Sequence, residues 1–200
     1  MHVVALLAHP DDEISCGGTL ARFVDDGHNV TLYTAFSDRR AHELHQSAKV
    51  LGVNLIERYA AQSTFAWNQD TVRLYDAQIA ALEPDLLISH RVADNNTSHV
   101  PLARIIRTIA RKNSTSLWEI DAAIPGGIET DSAANNHLVS IDDQVMRKYG
   151  ALGCYESVLQ NYPGIQDAFT HRDLHNGWLL QMSAEPHYAE AFRIIKSVWR

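Results

Sequence analysis

The sequence is short of cysteine, of positive charge and of long apolar runs. Of its 200 residues only Cys16 and Cys154 are cysteines. Two thiols make no disulfide framework and no cysteine-rich zinc knuckle, so they read as free thiols of a reducing compartment. Lys and Arg number 17 against 24 Asp and Glu, a net charge of −7. That balance offers no basic face and argues against a nucleic-acid partner. No apolar run reaches the roughly 18 residues that span a bilayer, so no transmembrane segment is expected. An apolar strand pattern opens the chain in place of a basic segment and an apolar leader, and a cytoplasmic location is the expectation. Gly17-Gly18 belongs to neither Gly-x-Gly-x-x-Gly nor a P-loop, and no Lys follows. These glycines are read as close packing of a helix start. There is no internal repeat and no low-complexity linker.

The hydrophobic content, 46%, is enough for one core, and a single domain over residues 1–200 is expected. Apolar runs alternate with helical stripes. Strands are expected over about 3–8, 29–36, 54–59, 85–89 and 117–124. Helices are expected over about 14–26, 38–51, 70–82 and 100–112, with Asp26-Gly27, Leu51-Gly52 and Pro84 as stops. Strand alternating with helix implies an α/β fold with a mostly parallel sheet and helices on both faces. Past residue 124 the alternation weakens. Pro125-Gly126-Gly127 reads as a turn, 142–159 as one long helix and 167–182 as another. Trp67, Trp118, Trp178 and Trp199 read as core or rim aromatics.

The chemistry concentrates in His9-Pro10-Asp11-Asp12-Glu13, directly after the strand Val3–Ala8. This is the carboxyl end of a strand, where open α/β sheets bind ligands. Three adjacent carboxylates raise one another's pKa, and a cation relieves that. His9 and Asp12, three apart around a tight corner, can turn toward one point with Asp11 beside it. Imidazole plus carboxylate suits zinc. The alternative is that Asp11 or Asp12 simply caps the helix, with His9 a bystander.

The same five residues resemble the signature of the LmbE-like, or PIG-L, family of zinc-dependent N-deacetylases, which act on N-acetylated amino sugars such as N-acetylglucosamine and their conjugates. The resemblance implies a Rossmann-like three-layer sandwich, and it extends along most of the chain. In the second loop, His90 to His99, the terminal His99 matches the family's third metal ligand, and Asp94 and Asn96 match earlier positions. Ser98 stands where the family has Asp. Asn96 occupies the place of a His thought to stabilise the oxyanion; it can donate a hydrogen bond but cannot shuttle a proton. The implied zinc site is His9, Asp12 and His99, one ion per chain, with an open fourth position for water. Asp11 is then the base, and Glu13 is structural. Arg40-Ala41-His42-Glu43 resembles the family's Arg-x-x-Glu. Arg40 either binds a substrate hydroxyl or phosphate, or pairs with Glu43 on the helix face. Asp94, His137 and His171 are candidate substrate contacts, and His137, His171 and His175 are candidates for the missing oxyanion partner. Lys148 with Ala151-Leu152, Arg172-Asp173 with Asn176-Gly177, and Tyr188 to Phe192 echo further family fragments. The implied partner is a small amino-sugar conjugate; a non-sugar amide or thiol conjugate and a non-catalytic binding module are the alternatives. Homo-oligomerisation stays open.

Overall fold

The computed structural model describes residues 1–37, 40–59, 66–120, 135–180 and 187–198. Arg39, residues 121–124 of the expected fifth strand, the turn at 125–127, residues 181–182 of the expected last helix, and Trp199 lie outside them.

Among the described residues one sheet of seven strands forms in the order β3-β2-β1-β4-β5-β7-β6. The strands are β1 His2–Leu7, β2 Asn29–Ser37, β3 Asn54–Tyr59, β4 Leu86–His90, β5 Ser116–Ile120, β6 His137–Ser140 and β7 Ala189–Lys196. The first five are mutually parallel. β7 runs antiparallel to β5 and to β6. The protein is thus an α/β three-layer sandwich with a mostly parallel sheet. β1 is an interior strand, and Val3 to Leu7 are apolar on both faces and all fully buried.

Helices α1 Gly17–Asp25, α2 Ala41–Leu51, α3 Gln69–Leu82 and α4 His99–Lys112 are the crossovers. Tyr75 and Ile79 of α3 and Leu102, Ile105, Ile106 and Ile109 of α4 pack on one face, against Val4, Leu6 and Leu87. Leu20 of α1 and Leu44 of α2 pack on the other, against Val3, Ala5, Leu7 and Ile88. A Cβ on Gly18 would come within 2.7 Å of Ile141, so this glycine does mark a close approach.

Two expectations need correcting. The span 142–159 is not one helix: α5 Val145–Leu152 and α6 Glu156–Asn161 are separated at Gly153–Tyr155. A third helix, α7, covers Ile165–Leu180. The chain also adds two antiparallel strands, β6 and β7, that the weakened alternation did not announce.

The C-terminal elements are tied to the first half by a buried ion cluster. Lys148 of α5 places Nζ 2.6 Å from Asp173 of α7 and 2.8 Å from Glu190 of β7, all three essentially without solvent contact. Glu190 also accepts hydrogen bonds from the backbone N–H groups of Gly18 (3.0 Å) and Thr19 (2.7 Å), the start of α1. A carboxylate there is favoured by the unpaired N–H groups of the helix end. Lys148→Met should therefore leave two buried carboxylates without their cation and cost on the order of 3–5 kcal/mol in denaturant unfolding. A loss below about 1 kcal/mol would contradict this role for Lys148.

Candidate metal centre

The strand order reverses between β1 and β4, and the centre sits there, outside the carboxyl ends of both strands. After Leu7 the chain turns at Pro10, and Asp12–Cys16 form a single 3-10 turn before α1. Asp11 takes a left-handed conformation, φ 92°, which few non-glycine residues adopt. Its neighbour holds it there: the Asp11 N–H donates to Glu13 Oε2 at 3.0 Å. The other oxygen of Glu13 accepts from Ser47 Oγ (2.6 Å) and from the Tyr155 hydroxyl (2.5 Å). Glu13 is fully buried, and burial raises its pKa despite those two donors. It supports the corner and does not face the centre.

Asp12 closes the turn by accepting the His9 N–H on Oδ2 at 2.7 Å. Its Oδ1 lies 3.3 Å from His99 Nε2, and Oδ2 lies 3.5 Å from His9 Nδ1. One ligand atom each of His9, Asp12 and His99 falls within 4.8 Å of the others. Behind His99, Asp94 accepts a hydrogen bond from Nδ1 at 2.8 Å. This places the proton of a neutral His99 on Nδ1 and turns the Nε2 lone pair toward Asp12. Nε2 is buried and makes no hydrogen bond. Burial alone disfavours a charge on either residue. The imidazoles nonetheless hold Asp12 well below the usual carboxylate range, and the Asp12 and Asp94 carboxylates push His99 up to about 10. The centre favours a positive charge at this point, and the donor set of two imidazoles and a carboxylate fits a divalent ion.

Asp11 stands to one side. Arg40, at the entry to α2, donates from Nη1 to Asp11 Oδ2 at 2.6 Å. Both side chains keep about a quarter of their exposure, 25% and 26%. Burial and the neighbouring Asp12 raise the Asp11 pKa to about 8 against the pull of Arg40. Glu43 is engaged elsewhere, accepting from Ser157 N (3.0 Å) and Oγ (2.7 Å).

The remaining residues singled out in the sequence scatter. Both oxygens of Asp94 are in use, one by His99 and one by the Asn96 N–H at 2.7 Å. Asn96 is exposed, and its Oδ1 accepts the Ser98 N–H at 2.8 Å at the entry to α4. His137 lies on β6 with its ring 4.6 Å from Trp118. His171 and His175 are exposed on α7. None of these three histidines joins the metal-capable groups found among the described residues. No sequence motif assigns a role to His90. It ends β4, is fully buried, and stacks on His99 with ring centroids 3.8 Å apart. Its signal was position: it terminates an apolar strand at the same sheet edge as His9.

Residues 4–110 match the family model PIG-L, GlcNAc-PI de-N-acetylase. The match spans more than half of the chain, which therefore belongs to the PIG-L family and is an enzyme of its metal-dependent deacetylase class. No curated protein sequence matches it. Among solved structures, the 4-carboxy-2-hydroxymuconate hydratase of Pseudomonas putida KT2440 superposes with a TM-score of 0.82 at 16% identity, covering 100% of this chain and 98% of the other. The N,N'-diacetylchitobiose deacetylase of Pyrococcus horikoshii gives 0.72 at 17% identity, covering 97% and 83%. The A40926 pseudoaglycone deacetylase gives 0.75 at 18% identity, covering 99% and 98%. At such identities the likeness shows the fold alone.

The charge preference of the centre has a measurable consequence for the metal-free chain. A His pKa raised from about 6.5 unfolded to about 10 contributes stability that is complete below 6.5 and is lost as pH rises through 10. Relative to His99→Gln, the metal-free wild type should lose melting temperature across that window. Parallel curves for the two proteins would contradict the pairing of His99 with Asp12 and Asp94.

Proposed function

We propose that the chain hydrolyses the amide bond of a small N-acylated conjugate, using one divalent ion, zinc by its donor set, held by His9, Asp12 and His99. The observation that carries this reading is a three-residue group able to hold a metal with a separate, partly exposed carboxylate, Asp11, next to it in the chain. Bound zinc would act as a Lewis acid and bring the pKa of water toward about 7. Asp11 takes the proton of the attacking water and returns it to the leaving amine. Burial and the Asp12 charge raise the Asp11 pKa to about 8 in the metal-free chain, and a bound dication would lower it toward the range in which one group can take and return a proton. Arg40 fixes the orientation of Asp11 and offers a cation to a substrate hydroxyl or anionic group. With Oδ1 of Asn96 fixed by Ser98, its Nδ2 is the donor it has left for an oxyanion.

For the leaving group the reading is broader than an amino sugar. The match to a GlcNAc-PI de-N-acetylase model and the fold shared with a chitobiose deacetylase support a sugar. The tryptophans do not add to it. Trp118 packs against Phe23 and Phe192, one face of Trp67 is covered by Arg104, and Trp178 sits on α7. Trp67 and Trp178 are both exposed, so the indoles do not choose between a sugar and a non-sugar amide conjugate. Amine release from N-acetylglucosamine and from a panel of N-acetylated amines and amino acids tests this. Release confined to the sugars would restore the narrower reading, and no release from any member with zinc bound would remove the hydrolase assignment.

Ligand and base separate by mutation. Asp11→Asn should keep one zinc per chain while kcat falls by ~10²–10⁴. Asp12→Asn and His99→Ala should lose zinc and activity together, since an amide or a methyl cannot replace either ligand. If Asp11→Asn loses the metal and Asp12→Asn keeps it, the two roles are reversed.

A further inference from the structure

We infer that His90 is a positioning residue: an uncharged imidazole that fixes the end of β1 and the ring plane of His99, so that ligands from two chain segments meet at one point. The inference rests on the assignment of His9, Asp12 and His99 as ligands.

It starts from a gap in the sheet. β1 and β4 pair from Val3↔Leu86 to Ala5↔Ile88 and no further, although β1 continues to Leu7 and β4 to His90. Their parting opens the crevice in which the ligands gather. It also leaves buried peptide groups of β1 without ladder partners on that side, and such groups need partners. Two side chains of β4 supply them. Ser89 Oγ donates to Leu6 O at 2.9 Å, and the Ala8 N–H donates to His90 Nε2 at 2.8 Å. From the other side Ala8 O accepts the Phe36 N–H at 2.8 Å. The backbone of Ala8, the residue just before His9, is therefore clamped between β2 and His90.

A ring nitrogen that accepts a hydrogen bond carries no proton, so neutral His90 bears its proton on Nδ1. In that state the ring lies nearly flat on His99, the planes 12° apart. Asp94 fixes the edge of His99 and His90 fixes its face. His90 Nε2 is also 3.4 Å from Asp12 Oδ2. One ring thus touches the backbone before one ligand and the side chains of the other two. Its own Nδ1 is buried without a hydrogen-bond partner. An apolar side chain would fill the same space without burying that N–H, so the imidazole is explained by what Nε2 and the ring face do. His90, Asp94 and His99 also offer ligand atoms within 4.8 Å of one another. Because Nδ1 of His99 already donates to Asp94, this group acts as support for the first site.

The test compares wild type, His90→Gln and His90→Leu as full-length, metal-free chains titrated with zinc against a chelator. Glutamine carries an amide oxygen to about where Nε2 lies and can accept from Ala8; leucine cannot. Zinc affinity should fall ~10–100-fold in His90→Leu, the usual cost of losing a residue that orients ligands, and only a few-fold in His90→Gln. In the wild type, nitrogen NMR should show His90 protonated on Nδ1 and bare on Nε2. Equal zinc affinity for all three proteins, an equal loss in both variants, or a proton on Nε2 would each overturn the role. If His90→Leu does not fold, the glutamine variant and the NMR assignment still decide it. A wild type that binds no zinc would remove the ligand assignment itself, a result distinct from a wild type that binds normally beside variants that match it.

Discussion

Three consecutive carboxylates at one buried corner repel one another. At an effective dielectric of about 20, two charges 4 Å apart oppose each other by about 4 kcal/mol. The corner Asp11-Asp12-Glu13 is tolerable because each acid has a different counterpart. Glu13 turns inward to two hydroxyls and a backbone N–H. Asp12 faces His9 and His99 and accepts the His9 N–H. Asp11 turns outward to Arg40. The left-handed backbone at Asp11 is what sends neighbouring side chains in different directions. The proposed ligand, the proposed base and their support thus come from one short stretch.

That stretch is held by parts of the chain far from it in sequence. Tyr155, between α5 and α6, reaches Glu13, and Glu190 of β7 holds the start of α1. Ser47 of α2 completes the set around Glu13. The C-terminal half, which supplies no member of the ligand cluster, builds the rear wall on which the acidic corner rests.

Much of this was readable in the residues. The run Val3–Ala8 followed by His-Pro-Asp-Asp-Glu announces both a buried parallel strand and a ligand site, because one pattern carries the burial and the other the charge. The four crossovers followed from strand–helix alternation, and their stops from Gly27, Gly52 and Pro84. β7 was hidden because its burial does not follow apolarity: Glu190 is as buried as Phe192, and only the distant Lys148 explains it. The break between α5 and α6 lies at Gly153-Cys154, where one glycine in an otherwise helical stretch was too weak a stop. His137 and His171 drew attention as histidines in family-like fragments, yet lie on other elements. The role proposed for His90 depends on where two strands part, which only the assembled sheet shows.

The central claim is that the corner of β1 and the loop after β4 together hold one cation in place of a proton. Calorimetric titration of the metal-free chain with zinc near pH 7.5, repeated in buffers of different ionisation heat, measures it directly. At that pH His99 still carries a second proton in the absence of metal, its pKa being about 10. The account predicts one zinc per chain with at least one proton released as it binds, the release disappearing together with binding in His99→Gln. Zinc binding without proton release, or binding that survives loss of His99, would contradict it.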